Sequence, residues 1–305
     1  MPHTHRPGLA ALWMIGSILS FSTMAVAGRY VSGVHSTFEI MTFRSLAGLL
    51  IVLFVAGAYG RLREIRTERL KLHFFRNLFH FTGQNLWFFA LATIPLAQVF
   101  ALEFTTPVWV IVLGLLFLGE RLTLYRVVAA ALGFAGILIV ARPDFGALEP
   151  GLMTAAASAI FFAATIIMTK SLTRHESIVS ILFWLTLIQL GFGGLSLMLQ
   201  GPLMMPGPVT WPTLATFPWL LVVGVTGLLA HYCLTTALSL APASFVMPID
   251  FTRLPLIAVV GMVLFGESAD LLILIGGGVI ILANWINISG ESRARSRQEQ
   301  AALRP

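Results

Sequence analysis

"EFTTPVWVIVLGLLFLGE" (residues 103–120) and "DFTRLPLIAVVGMVLFGE" (residues 250–267) decide the fold of this chain. Set at an offset of 147 residues (103 to 250), they align Phe104 with Phe251, Thr105 with Thr252, Gly114 with Gly261, and Gly119-Glu120 with Gly266-Glu267. Each run is apolar, headed by a carboxylate and closed by Gly-Glu. The segments upstream echo one another too: "PGLAALW" begins at Pro7 and "PGLMTAA" at Pro150. The chain therefore reads as two related units, 1–145 and 146–290, followed by a polar tail, 291–305.

Composition says what solvent the units face. Of 305 residues, 57% are hydrophobic and only 10% charged, against about 45–50% apolar and about 25% charged in soluble domains. A soluble globule of this length has no interior large enough for so much apolar surface. A helix needs roughly 20 mostly apolar residues to cross the hydrocarbon. Ten candidate spans meet that condition, at about 9–30, 37–58, 72–92, 96–118, 122–141, 151–170, 177–199, 213–238, 241–265 and 268–288. The first, behind His3, His5 and Arg6, is too long and too poor in a cleavage site for a signal peptide, and is read as a retained helix. Five spans per unit is an odd number, so the second unit enters the membrane from the opposite side. The expected fold is an all-α integral membrane protein of ten transmembrane helices, built as two inverted five-helix repeats. Secondary transporters are built this way, with the substrate site between the halves near the midplane.

Lysine and arginine set the orientation. With the N-terminus inside, fourteen fall in cytoplasmic segments: Arg6, Arg61, Arg63, Arg66, Arg69, Lys71, Arg121, Arg126, Lys170, Arg174, Arg293, Arg295, Arg297 and Arg304. Only Arg29 and Arg142 fall outside, while Arg44, Arg76 and Arg253 lie in or at the edges of spans. The positive-inside rule then places both termini in the cytoplasm. The formal net charge of +6 belongs to those loops and not to nucleic-acid binding. One cysteine, Cys233, permits neither an intrachain disulfide nor a cysteine-based zinc site. "DFG" at Asp144 lacks the other kinase elements, and Asn287-Ile288-Ser289 matches a sequon at the wrong end of a helix. There is no HExxH, no GxSxG and no phosphate-cradling glycine loop. No cofactor, no metal and no enzymatic activity are expected; the partners expected are a small-molecule substrate and membrane lipid, around a monomeric carrier.

Polar residues inside a membrane are costly and tend to face a cavity or one another. In "HFTGQNLWFF", His80, Gln84 and Trp87 recur at helical spacing on one face, with Asn77 two turns from Gln84. The offset of 147 pairs Gln84 with His231 and Asn85 with Tyr232, in the eighth span "GLLAHYCLTT". These five, His80, Gln84, Trp87, His231 and Tyr232, are expected to line the substrate path; hydrogen bonding between helices, worth about 1 kcal/mol, is the plainer alternative. Arg44, in "TFRSL", is assigned a structural role. The two acids are expected to differ. Asp250 has Arg253 three residues on, in ion-pair reach. Glu103 has Val99, Phe100, Thr106 and Pro107 around it and no partner on its own helix face, so it is the candidate for touching a substrate amine or carrying a proton, with a structural bond to His80, Arg44 or Arg76 as the alternative. Pro107 and Pro255 are candidate hinges, because each proline removes a backbone donor, and Glu103, Asp250, Arg253, Pro107 and Pro255 together form the expected coupling set.

"GERLTLYRVVAAALGFAGILIVARP" (119–143) and "GESADLLILIGGGVIILANWI" (266–286) resemble the ends of two EamA-type repeats. The chain is similar throughout, except at its termini, to ten-helix members of the drug/metabolite transporter superfamily, and most to bacterial exporters of aromatic and other neutral amino acids. That resemblance implies alternating access, with helices 1, 3, 4, 6, 8 and 9 around a central cavity, helices 5 and 10 at the periphery, and a place in the bacterial inner membrane. The superfamily also contains nucleotide-sugar and phosphorylated-metabolite exchangers, which need a midplane cluster of basic residues; Arg44, Arg76 and Arg253, without lysine, argue against that. A membrane-embedded enzyme and a passive channel complete the alternatives.

Overall fold

The computed structural model describes residues 6–106, 108–110, 113, 124–141, 149–199, 208–241, 246, 249–250, 252–268 and 270–302. Ten α-helices of eight or more residues can be followed among them, and no strand. They are α1 (Pro7–Val31), α2 (Thr37–Ala58), α3 (Leu70–Thr93), α4 (Leu96–Glu103), α5 (Leu124–Ala141), α6 (Pro150–Leu172), α7 (Ile178–Leu199), α8 (Phe217–Leu240), α9 (Arg253–Phe265) and α10 (Leu271–Ala302). Five of them, α1, α2, α6, α7 and α8, are long and apolar enough by themselves to cross a membrane. The α10 helix runs on past residue 291, so the polar tail continues a helix rather than beginning a coil.

Local chemistry explains the helix ends. Pro7 and Pro150 both stand at the first turn of a helix, where the missing N–H has no intrahelical acceptor to lose. That is why "PGL" recurs. Ser36 and Glu39 form a reciprocal capping box at the start of α2, satisfying two backbone donors. Gly266 ends α9 with φ 63°, a left-handed conformation that favours glycine. This turn aims the Glu267 side chain back at α4.

The packing carries the two-fold symmetry of an inverted repeat. Helix α1 packs on α8, and its mate α6 packs on α3. The pairs α2·α7, α4·α9 and α5·α10 each join an element to its own counterpart. Gly136 lies so close to α10 that an added methyl group would stand 2.9 Å from the Gly276 carbonyl oxygen, the close approach expected of the glycine-rich last helices.

Helices α4 and α9 are interrupted where the twin motifs stand. Phe104 and Thr105 form a turn after α4, and Thr252 forms one before α9. Thr105 Oγ1 donates to Leu102 O (2.7 Å) and Thr252 Oγ1 to Ile249 O (2.8 Å). The same threonine in each repeat thus adds its hydroxyl to a carbonyl that also accepts the threonine's own backbone N–H. Pro255 lies in the first turn of α9 and so marks its start, not a kink within it. Pro107, Glu120, Asp144 and Phe251 lie outside the described residues.

Candidate functional site

A cavity lies between α1, α3, α4, α6, α8 and α9, holding about 910 Å³ of space not filled by atoms, its mouth included. These are the six helices that the family resemblance implies. His80, Gln84 and Trp87 reach it from one face of α3, as their spacing predicts, and His231 reaches it from α8. Tyr232 does not. Adjacent residues on a helix point about 100° apart at 3.6 residues per turn, so with His231 inward Tyr232 turns away. Its ring packs edge-on against Trp13, 5.3 Å between centroids, beside the Val52, Leu182 and Leu185 cluster.

The twin acids meet at one end of the cavity. Arg253 Nη2 donates to Glu103 Oε1 (2.7 Å) and to Asp250 Oδ2 (2.8 Å). Trp87 Nε1 donates to the other Glu103 oxygen (2.9 Å). Phe21, Phe100 and Phe104 surround the guanidinium, with ring centroids 5.2, 4.8 and 5.5 Å from Cζ, which suits a planar cation. Glu103 thus does carry a structural bond, but to Arg253 and Trp87 and not to His80, Arg44 or Arg76. The acid has none on its own helix because its partner is 150 residues away, delivered by the second repeat.

Behind Arg76, His80 and His231 of the cavity wall runs an oriented chain of hydrogen bonds. Asn77 Nδ2 donates to His73 O (2.8 Å) and Trp184 O (3.3 Å), which leaves Asn77 Oδ1 to accept from Arg76 Nη1 (2.9 Å) and Gln189 Nε2 (3.4 Å). The same Gln189 amide nitrogen reaches His80 Nδ1 (2.5 Å), while its oxygen accepts from Arg44 Nη1 (3.4 Å). His80 Nδ1 is therefore an acceptor, so its Nε2–H donates to His231 Nε2 at 3.1 Å. One imidazole of each repeat shares this proton. Gln189, in "TLIQLGF" of α7, holds the chain together; an isolated glutamine in an apolar span was the signal for it in the sequence. Phe21, Phe104 and Phe162 complete the wall, and nothing in an apolar helix distinguishes such rings beforehand.

At the cavity's other end, Arg76 Nε donates to Thr169 Oγ1 (3.1 Å). Thr169 and Leu238 lie within one turn of the ends of α6 and α8, on the side of the chain termini. The opposite side is sealed. Glu267 accepts from the Leu96 N–H (3.1 and 3.0 Å) and pairs with Arg29 (3.0 Å), and Arg29 also holds Ile94 O (2.7 Å). The acid of the second Gly-Glu thus ties the start of α4 shut from the other repeat, with its negative charge on the helix N-terminus. Three buried polar atoms of cavity residues have no partner among the described residues: Gln84 Oε1, Asp250 Oδ1 and Arg253 Nε.

The EamA-like transporter family matches this chain twice, over residues 8–142 and 149–289. A riboflavin transporter of Vibrio cholerae is 28% identical, over 98% of this chain and 99% of its own. An S-adenosylmethionine uptake transporter of Rickettsia bellii is 26% identical, over 94% and 95%. A protein of known crystal structure, 18% identical, has the same fold, with a TM-score of 0.65 over 91% of this chain and 95% of that one.

Proposed function

The chain belongs to the EamA-like transporter family and is a multi-pass membrane transporter, and from that premise we propose that it moves an elongated aromatic metabolite through the central cavity of a bacterial inner membrane by alternating access. The observation that carries this reading is the cavity's make-up. Aromatic and aliphatic walls alternate with a few polar atoms that have no partner, the pattern of a site that binds a ring and reads its edges. Length matters as well. Eleven residues of α3 separate Arg76 from Trp87, roughly 16 Å at about 1.5 Å per residue. A solute touching both ends is larger than a free amino acid and comparable with a flavin or an adenosyl-amino acid, the substrates for which the two relatives are named.

Export of aromatic and other neutral amino acids, the expectation from the sequence, is the second reading. It is favoured by the opposite charges of Glu103, Asp250 and Arg253 at one end, where an amine and a carboxylate would both find partners. Liposomes containing the purified protein, loaded in turn with labelled riboflavin, S-adenosylmethionine, tryptophan and phenylalanine, separate the two. Movement of the larger solutes with little of the amino acids is expected. Movement of the amino acids alone selects the second reading, and movement of none of the four rejects both.

A further inference from the structure

Charges buried in a protein are normally paired, as Arg253 is here with Glu103 and Asp250. Arg44 and Arg76 break the rule. They are 5% and 2% exposed, and neither has an acidic partner among the described residues. Arg76 bonds only Thr169 and Asn77, through Nε and Nη1. Arg44 bonds Gln189 and the Met41 sulfur, both through Nη1, while its Nε is buried without any partner. Every group they bond among the described residues is neutral.

The two side chains are also brought together. Arg44 comes from α2 and Arg76 from α3, and they are linked through two amides, since Gln189 accepts from Arg44 and donates to Asn77, which in turn accepts from Arg76. Space for Arg44 is made by a glycine: a methyl group at Gly227 would stand 2.6 Å from the Arg44 Nε. Arg76 lines the cavity itself. Counting the cavity residues and Arg44 together, three guanidiniums stand against the carboxylates of Glu103 and Asp250. One positive charge is left over, at the end of the cavity away from both acids.

We propose that Arg76, supported by Arg44, is the binding site for an oxyanion, a carboxylate or a phosphate, carried at one end of the transported aromatic solute. The proposal rests on the central cavity being the transport site. Arg76 lines the cavity and its bonds among the described residues use only Nε and Nη1, and an oxyanion there completes the hydrogen bonding of a planar fork built for two oxygens. Arg44 acts as a positioning residue: it orients Gln189, and its charge adds to the field at Arg76 in a medium that screens poorly. The ring of the same solute then lies toward Trp87 and Phe104, and the anion fixes which end enters first.

Matched ligand pairs test this on the purified protein in detergent. Riboflavin is compared with riboflavin 5′-phosphate, and tryptamine with tryptophan, by isothermal titration; orthophosphate and acetate alone are scored by thermal shift. The anion-bearing member of at least one pair is expected to bind tenfold tighter or more. Arg76→Gln is expected to erase that difference, and Arg76→Lys to keep most of it. Equal affinity within both pairs overturns the anion site and leaves the transport reading standing, because the rings still bind. A preference that survives Arg76→Gln places the anion elsewhere and also overturns it. Stabilisation of the wild type but not Arg76→Gln by orthophosphate or acetate, with no aromatic solute bound, upholds the anion site and removes the transport reading. If nothing binds, both fall. Should Arg76→Gln fail to accumulate, the pairs in the wild-type protein decide alone.

Discussion

Arg253 and Arg76 stand at two ends of one cavity, equally buried and held in opposite ways. Arg253 is enclosed by two carboxylates, a tryptophan-bound acid edge and three aromatic rings. Arg76 has an asparagine and a threonine. The first centre is internally balanced, and it draws its parts from both repeats: Glu103 and Trp87 from one, Asp250 and Arg253 from the other. It works as a clasp between the halves whether or not a solute is present. The second centre carries a charge with no acidic partner among the described residues, which is the observation the proposed anion site rests on. The difference teaches that burial alone does not mark a binding site in a membrane protein; burial without a counter-charge does.

The largest effect that sharpens this contrast is expected from Arg253→Met. Removing the shared cation leaves two buried carboxylates facing each other, and breaking a buried pair from one side costs about 3–5 kcal/mol. Loss of the monodisperse peak in fluorescence-detected size exclusion is the expected result; a well-folded Arg253→Met protein would show that the clasp is dispensable. Glu103→Gln is milder. The amide still accepts from Trp87 or Arg253, and Asp250 keeps the charge pair, so the protein is expected to fold with a loss of about 1.5–3 kcal/mol, the value of a charged hydrogen bond. Transport is expected to drop about tenfold or more, measured as initial rate per inserted protein, since both the clasp and the wall of the cavity change. Full activity at normal stability would mean that Asp250 alone holds the two halves.

Arg76→Gln is expected to move stability the other way. Replacing a buried cation that has no counter-charge relieves a burial cost, so the ligand-free variant is expected to melt a few degrees higher than the wild type. A lower melting temperature would show that Arg76, like Arg253, serves the fold. The smallest effect is expected from Tyr232→Phe. The ring stays packed on Trp13 and lies outside the cavity, so uptake of every substrate is expected to stay within about twofold of wild type. A change in substrate preference would bring Tyr232 back into the path.

Much of this molecule was determined by its sequence alone. The twin motifs, the ten apolar spans and the odd number of spans per unit require a membrane protein with an inverted repeat, because apolar length and internal identity are local properties of a chain. The inward face of α3 was legible for the same reason: His80, Gln84 and Trp87 share a stripe at 3.6-residue spacing. What could not be read was which groups meet across 100 or more residues. The partner of Glu103 could not be named because Arg253 lies in the other repeat, and only the packing of α4 on α9 brings them together. Tyr232 looked like a wall residue because alignment gives depth in the membrane but not rotation about the helix axis. Arg44 and Arg76 were too few to look like a charged site, and the absence of an acid beside them among the described residues is visible only when their surroundings are. The tertiary structure decided all three, because a buried charge is defined by its neighbours in space, and within a bundle of helices those neighbours come from every other part of the chain.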